Sequence, residues 1–285
     1  MRPPLLPALS CGYLAAERSA QSLSVHSSFA HALNLRDAQG ALFTLLCDQR
    51  YPDLPDALRV ALPVGWEWRH MAVRHAPVRL VAGRLLAERF EIDLRHAPVW
   101  RPTARSATRP LTAAAFATHY PRLCAQLQQY GLAHTCVSDL AWQPLTRSGA
   151  LIPQETPERL ERQVPCLIGY GKGLTPDGDD YLLGYLAALT WWPLSPTLAA
   201  HRDRLRGIIQ AHLTLTTDIS AHYLSRALQG HFSQPIYHLL SQLSTNTAPA
   251  ALHAAAERVM RFGATSGVDC LAGLLHGMRT LNAVQ

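Results

Sequence analysis

Three aspartates, Asp177, Asp179 and Asp180, stand at the entrance of an almost wholly apolar run, Tyr181 to Trp192, directly after a turn that holds three glycines. The run reads as a buried helix, so the carboxylates fall on its first turn, where acidic side chains complement the helix dipole. Thr175 suits the capping position and Pro176 the first helical turn. Upstream, Gly169, Gly171 and Gly173 alternate after the apolar stretch Val164 to Ile168, which lets the backbone adopt conformations a Cβ forbids and approach a ligand closely. Lys172 is the only lysine in the chain. Three acids and a lone ammonium at a buried helix entrance are costly unless something binds there. The spacing excludes two familiar phosphate loops. It lacks the Gly-x4-Gly-Lys-Ser/Thr order of one and the G-x-G-x-x-G of the other.

The same pattern recurs near the C-terminus. Gly178-Asp179-Asp180-Tyr181-Leu182-Leu183-Gly184 aligns with Gly267-Val268-Asp269-Cys270-Leu271-Ala272-Gly273, and Thr175 lies close to the place of Thr265. In each copy a hydroxyl and a glycine precede an aspartate on the first turn of an apolar helix, and a later glycine allows close helix packing. Two such entrances would converge on one ligand. Helix N-termini favour anions, whereas aspartates there favour capping, a cation or both; a magnesium ion held by Asp180 and Asp269 against a phosphate-like substrate reconciles the two. The plain alternative is that both aspartates only cap. Between the copies, Thr216, Thr217 and Asp218 form another polar helix start, and Ser220, His222 and Arg226 either line the same cleft or make an ordinary polar face.

The elements that must position these groups change character along the chain. Ser10 to Leu35 reads as strand or turn, and Leu42–Cys47, Val60–Val64, Met71–Val73, Val78–Val81 and Phe90–Leu94 as short strands between Pro, Gly and Asp signals. Trp66 and Trp68 would share one face of a strand and pack in the core. Pro98 to Pro110, with three prolines and three arginines, reads as a linker. Beyond it the period lengthens to that of helices: Leu111–Tyr130 broken or kinked at Pro121, Pro157–Gln163, Asp179–Trp192, Pro196–Leu213, Asp218–Gln229, Pro235–Leu243, Ala248–Phe262 and Val268–Leu281. The expected class is α+β, with a small β-barrel or sandwich-like N-terminal domain over residues 1–105 and a mainly α-helical domain over 106–285.

Composition narrows the functional classes. With 48% hydrophobic and 16% charged residues in 285, the chain buries a sizeable core. Its net charge of +6 comes from scattered arginines without a basic block, so nucleic acid is not an expected partner. The six cysteines show no framework or zinc spacing, which fits free thiols in a reducing compartment. His70, His75, His96 and His119 lack metal-ligand spacing as well. No long apolar run and no signal-like start is visible, so the expectation is a cytoplasmic protein with no membrane contact.

Taken in order, G-K-G-L-T-P-D-G-D-D-Y-L-L-G, T-T-D-I-S-A-H-Y-L and G-A-T-S-G-V-D-C-L-A-G-L-L-H-G resemble a bacterial family named after the H subunit of oxamate carbamoyltransferase of anaerobic allantoin breakdown, formerly a domain of unknown function. H-S-S-F-A-H-A-L-N-L is similar to the opening segment of that family. Ala264 departs from it, standing where a histidine is frequent. The resemblance implies a subunit of a multi-protein enzyme of purine catabolism that interconverts oxalurate plus phosphate with oxamate plus carbamoyl phosphate, in company with other carbamoyltransferase subunits. The residue reading supplies candidates to bind the phosphate, carbamoyl phosphate or oxamate: Gly169, Gly171, Gly173, Leu174, Thr175, Gly178, Thr217, Ser220, Thr265, Ser266 and Gly267. Asp179, Asp180, Asp269 and Lys172 become the catalytic candidates, with magnesium on Asp180 and Asp269. An arginine is expected to hold the oxamate carboxylate. Two other readings stay open: a non-catalytic assembly subunit whose motifs pack helices, and a stand-alone magnesium-dependent hydrolase.

Overall fold

Strand β1 (Leu5–Gly12) is where the N-terminal sheet closes on itself. It pairs in parallel with β8 (Glu91–Asp93) through Leu5–Pro7 and antiparallel with β5 (Ala57–Val60) from Ala8 to Cys11, with a register shift between Ala8 and Ser10. Between those two partners run β4 (Leu42–Cys47), β3 (Ala32–Arg36), β2 (Gln21–Ser28), β6 (Pro77–Val81) and β7 (Arg84–Leu86), giving the closed order β5-β4-β3-β2-β6-β7-β8-β1. A short β9 (Val99–Trp100) lies against the end of β1. The result is a barrel rather than a sandwich, and closure satisfies edges that an open sheet would expose. Period-two alternation fills it: in β6, Val78 and Leu80 turn inward while their neighbours are exposed. Leu33, Leu35, Phe43, Leu45, Leu58, Leu85, Phe90 and Ile92 are buried with them.

Two expected strands are corrected here. The strand expected at Val60–Val64 is Ala57–Val60, because Pro63 begins a turn closed by the Trp66 N–H on the Pro63 carbonyl (3.0 Å), with Gly65 at φ +79°. The stretch around Met71 is a single helical turn, Trp68–Met71, not a strand. The tryptophans do not share a strand face, since Trp68 opens this helical turn and Trp66 precedes it, but they do pack in the core: Trp68 is fully buried and meets Phe90 and the half-buried Trp66 edge-on at 5.1 and 5.7 Å.

This computed structural model describes residues 3–134, 157–245 and 247–283, and the chain divides into two compact units, 1–103 and 104–285. The second unit is helical: Ala113–His134, Pro157–Leu167, Asp177–Trp191, Pro196–His212, Asp218–Leu228, Gln234–Leu243, Pro249–Met260 and Ser266–Ala283. Pro121 lies inside one continuous helix rather than dividing a pair. Among the described residues no helix is long and apolar enough to cross a membrane.

The Asp177 and Ser266 helices form its centre. They run parallel, and glycine brings their backbones together: a Cβ on Gly184 would lie 1.8 Å from the Cys270 carbonyl oxygen, and one on Gly273 would lie 1.9 Å from that of Tyr181. Further along, a Cβ on Gly277 would lie 2.5 Å from that of Ala188. Residues in matching places of the two repeats thus face each other reciprocally, as a local two-fold requires. Parallel packing puts both N-termini at one end.

Candidate functional site

Each of those N-termini is built on a second glycine contact. A Cβ on Gly178 would meet the Leu167 carbonyl at 1.9 Å, and one on Gly267 the Val259 carbonyl at 1.9 Å. In both copies, therefore, the preceding helix ends against the first turn of the next. The loop between Leu167 and Asp177 reverses direction through Gly169, Gly171 and Gly173, whose φ values of +76°, +113° and +91° favour glycine. Gly169 also touches the Leu215 carbonyl and Gly171 the backbone of Asp177, so neither tolerates a side chain; Gly173 faces open space.

The first-turn amides serve the fold. Gly178 N–H donates to the Tyr170 carbonyl (2.9 Å), and those of Asp179 and Asp180 donate to Pro176 (3.0 and 3.2 Å). The second copy repeats this arrangement. Gly267 N–H donates to Phe262 (2.9 Å), and Val268 and Asp269 N–H to Thr265 (2.8 and 3.2 Å). These six helix-start amides are thus engaged by carbonyls of the preceding loop and cap residues. Thr175 does not cap either: Pro176 occupies that position, without a side-chain cap, and the Thr175 hydroxyl crosses to Ser266 Oγ at 2.7 Å.

The three aspartates have different surroundings. Asp179, fully buried, accepts from the Gly169 N–H (3.0 Å), the Ser220 hydroxyl (2.7 Å) and the Thr216 hydroxyl. Thr217 caps the Asp218 helix by accepting from Ser220 N–H (3.1 Å) and donates to the Leu174 carbonyl (2.5 Å). The third polar helix start therefore does join the first, and Asp179 is the clamp that holds it. A carboxylate with these bonds is a structural anchor in chemical terms. Asp177 is only half-buried, and burial moves its carboxyl upward.

Asp180 is different. It is 8% exposed, and its carboxyl hydrogen-bonds with Ser266 and Thr175. Its Oδ2 is buried without a hydrogen-bond partner among the described residues. Burial first, and the neighbouring Asp269 second, push its carboxyl well above the usual carboxylate range, against the hydroxyls that favour the anion. Asp269, fully buried on the partner helix, and Asp180 both act on Cys270, whose thiol burial drives up. Two adjacent buried acids do not both ionise without a cation. Around this floor the rim is open: Gly171, Lys172, Gly173 and Leu174 are exposed, and Thr265 and Ser266 half-exposed.

The paired helix starts thus bring together Gly169, Thr175, Gly178, Asp180, Ser220, Ser266, Gly267 and Asp269, with Thr217 and Leu174 at their edge. Lys172 reaches none of these in a described contact. Arg226 turns instead to Gln229 Oε1 (3.3 Å), at the far end of its helix, and His222 sits against Tyr223. Among the described residues no group of three or more His, Cys, Asp or Glu has the arrangement of a metal site. A magnesium ion on Asp180 and Asp269 would draw its remaining oxygens from hydroxyls, substrate and water.

One feature escaped the motif reading. Behind the floor, Tyr181 and Tyr185 on one helix meet His276 and Thr280 on the other. Tyr181 OH pairs with His276 Nδ1, and Tyr185 OH with His201 Nε2 (3.0 Å) and Thr280 Oγ1 (3.2 Å). The signal was present as two i, i+4 polar pairs on apolar helices. Burial lowers His276 to about 3 and His201 to about 4, with Arg279 also lowering His276. Because both folded values lie below the ordinary 6.5, the stability they contribute is present above that pH and lost as pH falls through 4 to 3. Urea unfolding between pH 7 and 4 is expected to show a loss of roughly 3 kcal/mol per imidazole. His276→Asn flattens that slope, and an unchanged slope counts against the buried neutral imidazole.

A family model described as oxamate carbamoyltransferase subunit AllH matches residues 167–278, a span that opens at the carbonyl abutting Gly178 and includes both helix starts. A second, described as the AllH family N-terminal domain, matches residues 7–99, the barrel. No solved structure matches the chain.

Proposed function

Because this chain belongs to the AllH family, we propose that it supplies the carbamoyl-handling site of an oxamate carbamoyltransferase, working with other subunits to interconvert oxalurate plus phosphate with oxamate plus carbamoyl phosphate. The observation that carries this reading is the adjacency of Asp180 and Asp269 at two locked helix starts, under the Thr175–Ser266 hydroxyl pair. In phosphorolysis a phosphate oxygen bonds to the carbamoyl carbon, and the bond from that carbon to the oxamate nitrogen breaks. The departing nitrogen needs a proton. A carboxyl held above its usual range keeps its proton to higher pH than an ordinary aspartate, and in that form it serves as the general acid; in the reverse direction the same group takes the proton from the attacking nitrogen. Asp269 holds the second carboxyl beside it, so that one proton serves the pair.

Lys172 is exposed on the loop, which supports a role in meeting phosphate at the rim rather than on the floor. Magnesium on the same two aspartates is the competing arrangement. It would polarise the carbamoyl oxygen but would keep both carboxyls ionised, and turnover that requires magnesium and stops with a chelator would favour it. The glycine contacts favour the other alternative, motifs that pack helices, at Gly178, Gly184, Gly267 and Gly273. The decisive measurement is turnover of the complex containing Asp180→Asn or Asp269→Asn. The expected fall is about 10²- to 10⁴-fold with the complex still assembled; wild-type rates in both variants would exclude a catalytic role for the pair.

A further inference from the structure

Two buried acids and an anionic substrate are an unfavourable match, and the arrangement of donors at the helix starts sharpens the point. The amides of Gly178, Asp179 and Asp180 in one copy and of Gly267, Val268 and Asp269 in the other are bonded to the Tyr170, Pro176, Phe262 and Thr265 carbonyls. Immediately around Asp180 the floor presents a carboxyl oxygen and the Thr175 and Ser266 hydroxyls. Asp180 Oδ2 is the one atom of that carboxyl left without a hydrogen bond, although the residue is more than nine-tenths buried. An orphaned buried acceptor costs stability in proportion to its desolvation. A ligand that bears N–H groups removes that cost.

Resting on the site proposed above, we infer that the Asp180 floor recognises an amide nitrogen, the –NH2 of oxamate in one direction and the ureido N–H of the carbamoylated product in the other, and that phosphate is held elsewhere. A primary amide is planar with two in-plane N–H donors, and one of them suits Asp180 Oδ2. The Thr175 and Ser266 hydroxyls, each able to donate and accept, lie between this floor and the half-exposed rim and complete the contacts to the amide carbonyl. Asp269 keeps the floor unfavourable for phosphate and for a second carboxylate. The substrate is thus oriented nitrogen-first. That orientation places the atom that must gain or lose a proton against the Asp180–Asp269 pair.

The test uses the purified full-length chain and isosteres. Oxamate and pyruvate have the same shape and charge and differ only in –NH2 against –CH3, so calorimetric titration with each reads the nitrogen contact alone. Oxamate is expected to bind at least about tenfold more tightly than pyruvate, with inorganic phosphate not competing. Asp180→Asn, which turns an acceptor into a donor, is expected to erase that preference. Equal affinity for oxamate and pyruvate, absence of oxamate binding, displacement of oxamate by phosphate, or binding only with magnesium would each overturn the inference. These outcomes separate from the proposed function: lost turnover without an oxamate preference sinks the nitrogen recognition alone, and an oxamate preference with unaffected turnover sinks the catalytic role alone.

Discussion

Alanine at Gly184 or at Gly273 is expected to unfold most of the helical unit. The new methyl would stand 1.8 Å from the Cys270 carbonyl oxygen in one case and 1.9 Å from the Tyr181 oxygen in the other. Neither obstacle is a mobile side chain, so relief requires the two central helices to separate along their whole interface. That separation would strip contacts from Leu182, Tyr185, Leu186, Leu271, Leu274 and Leu275, all wholly buried or nearly so. Overpacking against backbone belongs to the severe end of single substitutions, about 4 kcal/mol or more, out of a total stability of roughly 5–15 kcal/mol for an ordinary domain.

Gly207 provides the control. It lies within the helix Pro196–His212, and a Cβ there meets nothing within 4 Å. Gly207→Ala is expected to stabilise by about 0.5–1 kcal/mol through helix propensity alone. Urea unfolding of the three variants reads both effects. A loss below about 1 kcal/mol at Gly184 and Gly273 would mean that the helices are not held at glycine distance.

The paired glycine-aspartate motif was readable from sequence because local order and helix period carry it. Gly178, Gly184, Gly267 and Gly273 repeat at matching places, and the structure explains each by a carbonyl that occupies the missing Cβ position. The barrel was only half readable. Short strands announce an all-β unit, but closure depends on β1 pairing with β8 through Leu5–Pro7 and with β5 from Ala8 onward, a long-range choice no local pattern encodes. The role of Thr175 was misread for a related reason: capping propensity is local, while its hydroxyl is engaged by Ser266, 91 residues away in sequence. The same holds for Asp179. Acidic residues on a first turn look alike in sequence, and only the arrival of Ser220 and Thr216 separates the anchor from Asp180. The tyrosine–histidine layer lies in apolar helices, where polar residues gain meaning once their facing partners are known.

That separation between anchor and acid leads to an expected exchange of stability for activity at Asp180. Its folded carboxyl lies above the value it has in the unfolded chain, chiefly from burial and secondarily from Asp269. A group raised in this way contributes stability that is full below the unfolded carboxylate range and is lost as pH rises through the folded value. At pH 8 the wild-type chain therefore bears the cost of keeping an acid buried beside an acid. Asp180→Asn removes the ionisable group while preserving shape and the capacity to pair with Ser266 and Thr175. The variant is expected to melt at a higher temperature than wild type at pH 8 and at a similar temperature well below the unfolded value of 3.8, where the wild-type carboxyl is protonated in both states. Its turnover in the complex falls by about 10²-fold or more over the same range. Scanning calorimetry at the two pH values provides the reading, and the difference between variant and wild type isolates Asp180 from the buried histidines, which act in both proteins alike. A variant that melts lower than wild type at pH 8 would show that the pair is already balanced by a bound cation. A cation there would in turn favour the magnesium arrangement over the shared proton, because only the ion makes two buried carboxylates more stable than a carboxylate beside an amide.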